Sequence, residues 1–399
     1  MKKILFTTAL LLCFCLLKAQ SEISTAELFE QVNLINPQIN ENWGKGDYQA
    51  AEEGANKLIA LFYRMTDENQ KELRWIQAEL LFARTCLLSL QNKTAAAIEA
   101  FEKAIEYGFN NYPRAKNEAF LNNIRTDQRF IALLESISEH NPVNILRKAG
   151  KYQRSDITGL PRFTYESATS DNLKKVREFF NLDSIAGQGD EISKIKNLLK
   201  WVQANIRHDG SHNARIDFNS IDIYNYHKST GNGVNCRLLA ITLNEMYLAM
   251  GFKSRYVTCL PKTKGNSGDA HVINSVYSTT LNKWLWMDPT FNAYLKDEYG
   301  NLLSIEEVRE RVIEGRPLIL NDDAYWNDQT KQTKETYIDN FMTQFLYMFT
   351  CISDSKFNAE SRENFQSLIF VSLIPSGTPL PPQRNNSVIT HDAAYFWEH

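Results

Sequence analysis

Residues 231–261 read GNGVNCRLLAITLNEMYLAMGFKSRYVTCLP. Leu239, Leu243, Met246 and Met250 recur at steps of four, three and four, which predicts a helix from about Cys236 that stops at Gly251. The run KSRYVTCLP that follows reads as a strand, and the polar loop KTKGNSGD leads to two more, HVINSVYS and KWLWMDPT, joined by TTLN. Cys236 falls in the first turn of the helix, where the dipole's positive end and free backbone N–H groups lower a thiol's pKa and can receive an oxyanion. An even number of loop residues places His271 and Asp288 on the same face of the sheet in any antiparallel register. They stand ~5 Å apart if directly opposed, and a few ångströms further in the next same-face register.

These three residue types have one shared chemical use. The His271 imidazole can take the Cys236 proton, giving a thiolate that attacks a carbonyl, and Asp288 can hold the other ring nitrogen and so set the tautomer. The imidazolium can then protonate a leaving amine. The expected reaction class is acyl transfer from a carboxamide through a thioester.

The order and spacing of Gly233-Val234-Asn235-Cys236-Arg237, Gly251-Phe252, Arg255-Tyr256-Val257, Asp269-Ala270-His271 and Trp284-Leu285-Trp286-Met287-Asp288-Pro289-Thr290 resemble the transglutaminase-like superfamily, which shares a papain-like core. The resemblance covers about 190–295. It implies Cys236 as nucleophile, His271 as base and Asp288 as orienting acid, acting on a protein or peptide substrate, with a cell-wall peptide among those open. The sequence departs from the family at Val272, where an aromatic is usual, and at Ser275, where an acidic residue is common shortly after the histidine. The family contains crosslinkers, peptidases, amidases and inactive members. A catalytically inactive fold that binds a peptide or protein therefore stands beside the enzyme as a second reading.

Upstream, about 27–145 is helical in pattern: Leu80, Ala83, Leu87 and Leu90 share one stripe, and Ala97, Ala100, Phe101, Ala104 and Ile105 another. Gly46-Asp47-Tyr48 with Ala51 and Lys57 matches Asn92-Lys93-Thr94 with Ala97 and Lys103 at an offset of 46 residues. Ala78 to Gly108 resembles a tetratricopeptide hairpin, although that family repeats every 34 residues, and an ordinary helical bundle is the alternative. This half reads as packing and as a surface for a protein partner. A Pro- and Gly-bearing segment, 141–165, reads as a linker before a domain at 165–399. The expected fold class is α+β: a helical-hairpin region, then an antiparallel sheet packed on the helix that bears the nucleophile.

The remaining features narrow the setting. The 399 residues carry 44 Lys plus Arg against 47 Asp plus Glu, with no basic cluster, which argues against nucleic acid. Residues 1–19, MKKILFTTALLLCFCLLKA, have two lysines, an apolar run shorter than a bilayer needs, and Ala19 at a cleavage position. They read as an export signal, giving a periplasmic or secreted protein with no membrane span after its removal. Losing Lys2, Lys3 and Lys18 with it takes the formal charge from −3 to −6. Cys13 and Cys15 leave too, and Cys86, Cys236, Cys259 and Cys351 remain. Cys86 and Cys259 read as core residues, with a Cys259–Cys351 disulfide as the alternative for the latter. His208, Asp209 and His212 suggest a metal at first sight, but Gly210 interrupts any helix that would align the histidines, so a polar loop beside the cleft is expected and neither metal nor cofactor is. Tyr224 or Asn225 could supply a second oxyanion donor.

Overall fold

The computed structural model describes residues 22–152, 159–211, 214–262, 270–378 and 386–399. The stretch read as an export signal, His212, Asp269 and most of the loop before His271 therefore lie outside the described residues. The chain forms two compact units, divided between Asn141 and Pro142.

The first unit is helical. Helices α1 (Thr25–Gly44), α2 (Tyr48–Phe62), α3 (Arg74–Leu90) and α4 (Thr94–Glu106) carry most of it. Ser24 and Glu27 form a reciprocal cap at the start of α1, and the Asp47 side chain accepts from Ala50 N–H at the start of α2. The 46-residue offset has a structural meaning. It superposes two equivalent turns, Lys45–Asp47 between α1 and α2 and Gln91–Lys93 between α3 and α4, each containing a left-handed residue, Gly46 and Asn92. Of the stripe expected on α3 only Leu87 is fully buried, with Leu80, Ala83 and Leu90 half-buried. Ala78, Leu81, Phe82, Cys86, Leu87 and Leu88 are all buried because α3 lies between α2 and α4 and must cover both. Buried Ala97, Ala100 and Ala104 let α4 approach closely, and Phe82 stacks on Phe109 with ring centroids 4.2 Å apart. Burying a side chain such as Phe101 contributes about 2 kcal/mol, so these aromatics rather than helix propensity hold the unit together.

The second unit is α+β. Its first helix, α5 (Pro142–Ala149), falls within the stretch read as a linker; Pro142 opens it, which suits a residue with no N–H, and Leu146 is buried in this unit's core. Helices α6 (Asp171–Phe180), α7 (Glu191–Asn205), α8 (Ser220–Thr230) and α9 (Cys236–Ala249) follow, then strands β1 (Ser254–Leu260), β2 (His271–Ser278) and β3 (Lys283–Met287), helix α10 (Ile305–Glu314), and strands β4 (Met348–Ile352), β5 (Phe370–Leu373) and β6 (Ser387–Thr390). The six strands order as β6-β5-β4-β1-β2-β3, antiparallel except for the parallel β5–β6 pair.

Helix α9 is the centre of this unit. Every residue from Leu238 to Ala249 is buried, and Gly251 follows the last turn with φ +85°. Several of its polar groups are held from outside: Glu245 accepts from Ser220 N–H and Asn358 N–H, Asn244 donates to Ser355, and Tyr247 donates to Ile195 C=O. The adjoining strand reinforces the packing, since Asn274 of β2 donates to Ala240 C=O at 2.9 Å. At the far end, the aromatic tail folds back: Phe396 is buried, and Arg255 donates to Phe396 C=O while its guanidinium sits over Phe163 and Trp284.

Candidate functional site

The site forms where α9 begins and β2 begins. Asn235 caps α9, its side chain accepting from Leu238 N–H at 3.1 Å, which leaves Cys236 as the first helical residue and half-buried. Arg237, next in sequence, turns the other way into a bidentate pair with Glu360 at 2.9 and 2.5 Å. His271 opens β2 and is almost fully buried. In the β2–β3 register Asn274 opposes Met287, so Ile273 stands opposite Asp288 and His271 is one same-face step away. His271 and Asp288 thus take the second of the two same-face registers. Asp288 follows the last residue of β3, and its Oδ2 accepts from His271 Nε2 at 2.7 Å.

The electrostatics follow from these placements. Burial by itself would raise the Cys236 thiol, but hydrogen bonds from His208 and His271, the charge on His271 and the Val272 N–H outweigh it and bring the thiol down to about 6. Burial also opposes a charge on His271, yet Asp288 and the Cys236 sulfur raise its pKa above the ordinary imidazole value. Both shifts favour the thiolate–imidazolium form of the pair. Among the described residues no cluster of His, Cys, Asp and Glu is arranged to hold a metal.

Several neighbours were not legible as site residues. His208, expected in a polar loop beside the cleft, pairs by its backbone with Val234, two residues before Cys236, and its ring hydrogen-bonds the Cys236 sulfur. Tyr337 lies on a single π-helical turn, Glu335–Asp339, and donates its hydroxyl to Asp288 Oδ2 at 2.7 Å while accepting from Trp286 Nε1 at 3.0 Å. Burial and the Asp288 charge hold that hydroxyl well above its usual pKa, so it stays a donor. Thr290 N–H supplies Asp288 Oδ1 at 2.9 Å, and the carboxylate thus has partners on both oxygens. Phe341 meets the His271 ring edge-on at 5.0 Å and Phe291 lies 5.9 Å away, which keeps water off that side of the imidazole.

The other side chains singled out in the sequence take the following places. Tyr224 packs against Phe180 and Trp201 in an aromatic cluster, and Asn225 lines an open cavity on α8 with Asp222 and Ser229. Cys259 and Cys351 are both free and buried, so the disulfide alternative does not form. Trp286 is core, with its indole N–H spent on Tyr337.

Residues 180–289 match the sequence model of the transglutaminase-like superfamily. The chain thus carries a transglutaminase-like domain, on just those elements that bring Cys236, His271 and Asp288 together. A solved structure described as a candidate cysteine protease from Cytophaga hutchinsonii matches at 20% identity, over 35% of this chain and 46% of that one, with a TM-score of 0.23. The match spans less than half of that chain, and at such a TM-score it bears on neither fold nor function here. No curated protein matched.

Proposed function

We propose that this chain is a cysteine-dependent acyl-transfer enzyme acting on a peptide or amide carbonyl, with Cys236, His271 and Asp288 as its triad. The observation that carries the reading is the chain of contacts from sulfur to His271 to Asp288, with a thiol lowered to about 6 at a helix start. The Cys236 thiolate attacks the carbonyl carbon, and backbone N–H groups at the start of α9 face the developing oxyanion. The C–N bond then breaks as the His271 imidazolium gives its proton to the departing amine, leaving a thioester. Water, deprotonated by the now neutral His271, cleaves the thioester to a carboxylic acid and restores the thiolate and imidazolium. An amine in place of water would give crosslinking by the same steps. Hydrolysis is the assigned outcome because water is the abundant acceptor.

The sequence of residues 1–19 supports export to the periplasm or beyond, and the paired helices of the first unit support a role in holding a protein partner or substrate. The test compares wild type with Cys236→Ala on a library of peptides and cell-wall fragments, scoring chain cleavage, ammonia release and amine incorporation together. Products formed by wild type alone are expected. Identical profiles for both proteins would assign the fold to binding instead.

A further inference from the structure

Beyond the segment that matches the family model, residues 325–331 form a short hairpin in which Tyr325 and Trp326 pair with Lys331 and Thr330. Its turn is closed by Gln329 N–H donating to Trp326 C=O, through Asn327 and Asp328, both with positive φ of 51° and 56°. Gln203 of α7 fastens it by donating to Tyr325 C=O and to Asp328 Oδ1. The side chains of Asn327 and Trp326 are spent on one residue. Asn327 Oδ1 accepts from His208 N–H at 2.8 Å, Asn327 Nδ2 donates to His208 C=O at 3.0 Å, and Trp326 Nε1 donates to His208 Nδ1 at 3.0 Å. From the other side, Val234 pins the same segment, donating to Arg207 C=O at 2.9 Å and accepting from Asp209 N–H at 2.8 Å, two residues before Cys236.

We infer that Trp326 is a positioning residue that fixes the tautomer of His208, so that His208 presents Nε2–H to the Cys236 sulfur. An indole nitrogen is a donor only. It can meet Nδ1 of a neutral imidazole only when Nδ1 carries a lone pair, which places the ring's single proton on Nε2. In the opposite tautomer a lone pair would face the thiolate and repel it. His271 and His208 then divide the work: the first is charged and exchanges protons with the sulfur and leaving group, while the second stays neutral and stabilises the thiolate by a hydrogen bond of fixed polarity. The hydrogen bond from His208 that helps bring the thiol down is the consequence of this arrangement. Trp326 is partly exposed, at 37%, so its loss removes little packing.

The inference deepens the proposed function and rests on it for its catalytic meaning, but its first test does not. In the full chain labelled with nitrogen-15 histidine, His208 is assigned by comparison with His208→Gln, and its two nitrogens are read directly. Wild type should show a single Nε2–H tautomer, and Trp326→Phe a mixture with Nδ1–H. Alkylation of Cys236 against pH is the second readout. Trp326→Phe should raise the thiol midpoint by about one unit, a tenfold loss of thiolate at pH below it, and kcat/KM should fall about tenfold with the melting temperature unchanged. In a His208→Gln background, whose amide donates without a tautomer, Trp326→Phe should do nothing further. A wild-type proton on Nδ1, an unmoved tautomer and midpoint in Trp326→Phe, or an equal shift in the His208→Gln background would each overturn the inference. Should Trp326→Phe fail to fold, the wild-type tautomer decides alone. If the tautomer is as inferred while wild type and Cys236→Ala give the same products, the inference stands and the proposed reaction falls.

Discussion

Cys86 in the helical unit and Cys236 in the second unit are both cysteines on helices packed into a core, yet their thiols are driven in opposite directions. Cys86 is pushed up to about 12, first by burial and then by the charge of Glu118, whereas Cys236 comes down to about 6 against its own burial. Cys259 and Cys351, in the same sheet as His271, are also raised by burial. Position on a helix and distance from water do not make a thiol reactive. What separates Cys236 is the set of groups aimed at its sulfur: His208, His271 and the Val272 N–H. The two units differ in the same way. The first is closed by aromatic and alanine packing, while the second places charged and polar side chains where the packing ends.

The most severe break in this comparison is Cys236→Ala, which should cut product release by about 10⁴ or more, while Cys86→Ala leaves it unchanged; a product assay on the two variants reads both. Next comes His271→Asn. It removes the proton carrier and a donor to the sulfur, so turnover should fall about 10³-fold and the alkylation midpoint of Cys236 should climb toward the ordinary thiol value of ~8.5. Tyr337→Phe takes one of the donors from Asp288 without touching sulfur or imidazole. It should cost about tenfold in kcat and about 1 kcal/mol in stability, measured by steady-state kinetics and denaturant titration. The smallest effect is Cys86→Ala itself, about 1 kcal/mol of stability lost from a small cavity, with every kinetic readout unmoved. The pH–rate profile sharpens the same contrast. The thiol is lowered, so thiolate is present above about 6 and activity falls below it; the imidazole is raised, so its proton is kept through neutral pH and lost only on the alkaline side.

The sequence showed α9, the hairpin β2–β3 and the convergence of Cys236, His271 and Asp288, because periodicity and loop parity are local rules that hold whatever packs around them. It did not show His208 against the sulfur or Tyr337 against Asp288, which stand 28 and 49 residues away from their partners in the chain. Neither contact leaves a local pattern: His208 sits in a loop of polar residues, and Tyr337 is aimed by a single π-helical turn that no spacing rule anticipates. The role of Tyr224 stayed open in the sequence for the complementary reason. It has the right chemistry and sits shortly before the cysteine, but α8 turns it into the cluster with Phe180 and Trp201.

Cys236 alone among the four described cysteines should be a thiolate at neutral pH. The direct measurement is the rate of iodoacetamide alkylation of each cysteine in the folded chain as a function of pH, read by peptide mass spectrometry. The account predicts half-maximal alkylation of Cys236 near pH 6, with Cys86, Cys259 and Cys351 inert until the protein unfolds. A Cys236 midpoint near 8.5, as for a free thiol, or no reaction until unfolding, would contradict it.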